Sequence, residues 1–141
     1  MWPKNFADRL ESWNRLRLQA STADKSAALA MINTWWFDTP WRAYYLHRDD
    51  RDTWPDPWQL LDDDIYCPLA RGLGMLYTVS IIDRPDLQDC MLTECGGDNL
   101  VLIPDEKYIL NWDREQIVNI SPGGQNPRRS ISQSSIKQQI R

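Results

Sequence analysis

The sequence predicts an α+β domain in which an N-terminal helical hairpin and a Cys-initiated helix pack on an antiparallel sheet, with an extended C-terminal arm. Three observations carry this. Apolar residues recur at helical spacing through the first forty positions, short β-type runs with tight turns follow Gly74, and the core-forming pattern stops after residue 120. The expected division is a single domain over residues 1–120 and a basic arm over 121–141.

Phe6, Leu10, Trp13, Leu16 and Ala20 define an amphipathic first helix, with charged residues between them. Ser21 reads as the N-cap of a second helix, answered by Asp24 in capping-box fashion, with Ala28, Met31, Ile32 and Trp35 on one face. Pro40 disfavours helix at Thr39, so this helix closes by Asp38. Arg48-Asp-Asp-Arg-Asp52 reads as a solvated loop, because the glycine and terminal glutamate of a calcium-binding EF-hand are missing. Trp54-Pro-Asp-Pro-Trp58 is stiff, since each proline fixes its own φ and restrains the residue before it. A short helix starts at Pro57 and runs through Leu60 and Leu61. Asp62-Asp63-Asp64 then caps a helix from Ile65 to Leu73 that carries Cys67 near its start. Met75–Ile82 reads as a buried central strand. Further strands are expected at Asp89–Glu94, Leu100–Ile103, Tyr108–Trp112 and Gln116–Ile120, as an antiparallel meander.

Composition narrows the function classes. The net charge is −4, with all 20 acids before residue 120, so the body stands at −8 and the final 21 residues at +4. An acidic body argues against nucleic-acid binding, and the four cations of the tail are too few to reverse that. No segment has the length of apolar sequence that a membrane helix needs, and Met-Trp-Pro-Lys-Asn lacks the apolar run of a signal peptide. Eight Trp is a large number for 141 residues, and some are expected at an interface.

The chemistry is incomplete. A Cys opening a helix before a β-type run is the frame of a cysteine acyl-transfer enzyme, and such an enzyme needs a base to form the thiolate. The one His, His47, precedes Cys67, and none follows it. Cys67 is therefore expected as a buried small hydrophobe. Cys67, Cys90 and Cys95 have neither a disulfide-framework nor a zinc spacing, so reduced thiols of a cytosolic product are expected. No catalytic, cofactor-binding or metal-binding residue is assigned.

The helical hairpin, the Pro-Trp loop, Cys67 and Leu69-Ala-Arg-Gly-Leu-Gly74 together resemble the transglutaminase-like cysteine fold over roughly residues 54–115. The resemblance implies Cys67 in the nucleophile's place and Arg71-Gly-Leu-Gly74 at the end of its helix. Trp112-Asp113 resembles the family's Trp-then-Asp region. The family's His would fall near Asp98-Asn99, where this chain has none, which implies a pseudoenzyme; a hydrolase or transferase using Cys67 is the alternative. Trp54-Pro-Asp-Pro-Trp58, Tyr66-Cys67 and Ala70-Arg-Gly-Leu-Gly74 also resemble phrases of small virion structural proteins of contractile-tailed cyanobacterial phages. That resemblance implies a non-enzymatic tail or baseplate subunit, assembled in the host cytoplasm, whose partners are other virion proteins. The expected interface comprises Trp54 and Trp58, with Arg128, Arg129, Ile131, Ile136 and Ile140 on an arm that crosses a neighbour.

Overall fold

Asn5 starts the first helix: its side-chain oxygen accepts the Asp8 N–H at 2.8 Å and caps α1 (Phe6–Thr22). The computed structural model describes residues 2–41, 46–47, 50–63, 66–95, 97–104, 107–119 and 127–140. Ser21 does not cap α2. It lies inside α1 with its hydroxyl on the Leu18 carbonyl, and Asp24 is the N-cap of α2 (Lys25–Phe37). A 3₁₀ turn at Arg51–Thr53 leads to α3 (Pro57–Asp63), and α4 is Pro68–Ile82. The strands are β1 (Met91–Cys95), β2 (Asp98–Leu102), β3 (Ile109–Leu110) and β4 (Pro127–Ser132), followed by the single turn α5 (Gln133–Ile136).

The sheet has the order β3-β2-β1-β4, and every pairing is antiparallel. The β1–β2 hairpin sets Met91 opposite Leu102 and Cys95 opposite Asp98. Its turn includes Gly97 at φ 91°, a left-handed conformation that glycine adopts without strain. The expected last strand at 116–120 contributes only a bridge from Val118 to Tyr108 among the described residues. The architecture is α+β.

Two expectations are corrected. Met75–Ile82 is not a strand but the second half of α4, continuous from Pro68 through both Gly72 and Gly74. A short run apolar on all sides has no period that separates a buried strand from a buried helix. The helix wins because α1, α2, α3, α5, β1 and β2 all pack against it and bury every residue from Gly72 to Ser80. The two glycines admit close neighbours. A Cβ at Gly74 would stand 2.4 Å from the Trp36 ring, and one at Gly72 would stand 2.8 Å from Leu92.

The second correction concerns the C-terminus. Residues 127–140 are not a detached arm: β4 completes the sheet against β1, with Ile131 opposite Leu92. Gln133 locks the exit. Its N–H reaches the Cys90 carbonyl, its side-chain oxygen accepts the Cys90 N–H, each at 2.9 Å, and its amide donates to Leu87. The open edge of β1 supplies a hydrogen-bond ladder that a mostly polar segment can fill without a hydrophobic pattern of its own.

One hydroxyl organises the centre of the core. Thr78 Oγ1 accepts the indole N–H of both Trp13 and Trp36 at 3.0 Å and donates to the Gly74 carbonyl at 2.7 Å. Trp36 stacks edge-on with Trp35 and Tyr66, and Trp2 packs against both of those rings. Most of the tryptophans are thereby absorbed by the domain itself.

Candidate docking surface

Cys67 is a structural cap. It is buried at the start of α4, and its sulfur accepts the Ala70 N–H at 3.5 Å and the Leu46 N–H at 3.4 Å. The Leu46 contact draws the loop that carries His47 back towards the helix start. His47 is itself exposed, and its backbone carbonyl receives the Trp54 indole N–H at 2.9 Å. Leu46 and His47 line an open groove with Thr53, Pro55, Gln59 and Asp63. Cys67, Cys90 and Cys95 are all buried free thiols. Among the described residues, no cluster of three His, Cys, Asp or Glu could hold a metal.

The residues expected at an interface lie mostly elsewhere. Trp54 is buried in the domain core, and Trp58 is half-buried, edge-on to Trp13 at 6.4 Å. The Trp-Pro segment thus anchors the domain's own core, with the Trp54 indole donating to the His47 carbonyl. Ile131 and Ile136 are buried in this chain's own core, and Ile140 packs against it. The side chains of Arg128 and Arg129 lie outside the described residues. Arg42 to Tyr45 and residues 121–126 do as well.

Among the described residues, the large apolar side chains that face solvent are Leu18, Trp41, Trp112 and Val118. Trp112 sits on a turn whose neighbouring residues are hydrogen-bonded across the fold. It follows Asn111, a buried residue in the left-handed region at φ 67°. Asn111 donates its backbone N–H to Asn33 Oδ1 at 2.9 Å, and its side-chain amide to the carbonyls of Pro68 and Asn99 at 2.8 and 2.6 Å. Its own Oδ1 accepts Arg71 Nε at 2.6 Å. Asn33 Nδ2 then reaches past Trp112 to the carbonyls of Asp113 and Arg114, at 2.7 and 3.2 Å. Arg114 closes the turn onto Asp38 at 2.9 Å.

Electrostatics around this turn follow from burial. The Arg71 guanidinium lies 3.9 Å from the centroid of the Phe37 ring, and burial holds its pKa below the ordinary arginine value. Arg114 shifts the other way, raised chiefly by its hydrogen bond to Asp38 and then by that to Glu115. The product is a rigid, hydrogen-bonded turn that presents one indole to solvent, followed by the exposed carboxylates of Asp113 and Glu115. Asn33 and Asn111 carried no sequence signal, because a polar residue in a helix and another after a strand are each ordinary. Only their contact across the fold makes them a unit.

No known protein family, curated protein or solved structure matches this chain.

Proposed function

We propose that the chain is a non-enzymatic structural subunit of a bacteriophage virion, of the tail or baseplate, which docks on other virion proteins through exposed tryptophan. The observation that carries the docking half of this reading is Trp112, 43 % exposed on a turn fixed by Asn33 and Asn111. Interface hot spots are enriched in Trp, and a preorganised side chain loses little entropy on binding. The virion half rests on the phrase resemblance at Trp54–Trp58 and Tyr66–Gly74. Buried Cys67, spent on two backbone N–H groups, is consistent with a scaffold. The test is incorporation. In the genome that encodes the chain, wild type should be found in purified particles by mass spectrometry, and Trp112→Ala should be depleted from them. Absence of the wild-type chain from particles removes the reading.

One observation favours a cysteine hydrolase or transferase instead: the contact between Leu46 and Cys67 places the His47 loop beside the helix start. A thiol-reactive activity probe separates the two readings. A scaffold leaves Cys67 unlabelled in the folded protein, and Cys67→Ala keeps function at the cost of a small core change, about 0.5–3 kcal/mol.

A further inference from the structure

The end of the molecule far from Trp112 carries a complementary feature. Asn14, Arg17, Leu18 and Ser21 of α1 and Ile81 and Ile82 of α4 line an open groove of about 490 Å³. Leu18 is 70 % exposed on its wall. The Arg17 guanidinium lies 4.3 Å from the centroid of the Trp13 ring and donates through Nη2 to Asn14, while its buried Nε has no hydrogen-bond partner. Among the described residues no carboxylate pairs with it. A groove that sets Leu18, Ile81 and Ile82 beside a cation with no carboxylate partner suits an apolar side chain next to a carboxylate.

This chain displays that combination itself. Trp112 is followed by the exposed Asp113, whose Oδ2 accepts the Glu115 N–H at 2.9 Å, which restrains the carboxylate on the same turn as the indole. The two features sit at opposite ends of one rigid element. Pro68 at the start of α4 is hydrogen-bonded to Asn111, and Ile81 and Ile82 at its end line the groove. The helix is 15 residues long, so it separates them by about 20 Å at about 1.5 Å per residue.

We infer that copies of this chain associate head to tail, the Trp112–Asp113 turn of one seating in the Arg17–Leu18–Ile82 groove of the next. Two different patches are joined, so the contact is heterologous and propagates into a closed ring or a filament rather than stopping at a dimer. Burial already lowers the pKa of Arg17, and an incoming carboxylate offsets that desolvation. The inference rests on the assembly reading and names one of its partners as a second copy.

Sedimentation velocity of the purified chain tests it. The wild type should show a weight-average sedimentation coefficient that rises with concentration. Leu18→Asp and Trp112→Ala, both at exposed positions, should each remain monomeric with unchanged circular dichroism. Mixing these two should restore one contact and yield a dimer that grows no further, because each variant keeps the half that the other lacks. A second pair, Asp113→Arg mixed with Arg17→Glu, should associate where neither does alone and grow as an alternating assembly, because both turn–groove contacts in the mixture pair opposite charges. A wild type that stays monomeric overturns the inference, as does association of the single variants at wild-type strength or a mixture that remains monomeric. Such a failure is distinct from failure of the virion reading, which particle composition decides.

Discussion

Thr78 has one donor and two acceptor positions, and the fold uses all three, on Trp13, Trp36 and Gly74. Thr78→Val keeps the shape and strands two indole N–H groups in a dry core. At about 1–3 kcal/mol for each unsatisfied group, the expected loss is about 2–6 kcal/mol by urea unfolding. A loss within error of zero would show that the indoles find other acceptors. Gly74 tests packing in the opposite sense. Replacing it with Ala gains about 1 kcal/mol of helix propensity. The added Cβ meets Trp36 at 2.4 Å, and overpacking costs about 1–3 kcal/mol. Gly74→Ala is therefore expected to lower the melting temperature, and a rise would mean that Trp36 moves aside freely.

At the scale of elements, β4 and α5 belong to the domain. Ile136 is fully buried, Ile131 nearly so, and Gln133 spans Cys90 and Leu87. Deleting residues 127–141 removes two buried isoleucines at about 2 kcal/mol each and opens the β1 edge, so stability should fall by at least about 4 kcal/mol. An unchanged urea midpoint would return the segment to the status of a detached arm. A second tie joins the turn after α4 to α1. Arg84 donates to the carbonyls of Ala20 and Ala23 at 2.7 and 2.5 Å, and Asp86 grips its guanidinium with both oxygens at 2.8 Å. The hydrogen bond from Arg84 holds the Asp86 pKa below the ordinary carboxylate value of 3.8. A depressed folded-state pKa contributes stability that is complete above the unfolded value and is lost as pH falls through the folded one. Asp86→Asn should therefore flatten the pH dependence of stability below 3.8 and leave its shape near neutrality unchanged. Parallel acid-unfolding curves for the two proteins would refute that origin.

For the whole molecule, buried Asn33 and Asn111 with half-buried Arg71 join α2, α4 and the turn after β3, and their outward product is the position of Trp112. Asn33→Ala removes the link between α2 and the turn without altering the exposed surface. Amide hydrogen exchange across residues 112–115 should accelerate, and concentration-dependent sedimentation should weaken. Unchanged exchange would mean that Asn111 holds the turn alone.

The amphipathic face of α1, the helix start at Pro57 and the start of the next helix beside Cys67 were legible because each is written in local residues. Apolar periodicity and a proline at a first turn act within a few positions, whereas the caps fell on Asn5, Asp24 and Cys67 rather than on Ser21 and Asp62–Asp64. The α+β order followed from them. Tertiary structure decided the segments whose own pattern is degenerate. Met75–Ile82 has no polar face wide enough to mark a period, and it is helical because helices and strands pack around it. Residues 127–132 are polar but for Pro127 and Ile131, and they are a strand because β1 has a free edge. The same logic hid the candidate site. Which Trp is core and which is exposed depends on what lies opposite it: Gly74 makes room for Trp36, whereas Asn33 and Asn111 turn Trp112 outward. Local sequence sets what a segment can do alone, and burial against distant neighbours decides the segments that alone could go either way.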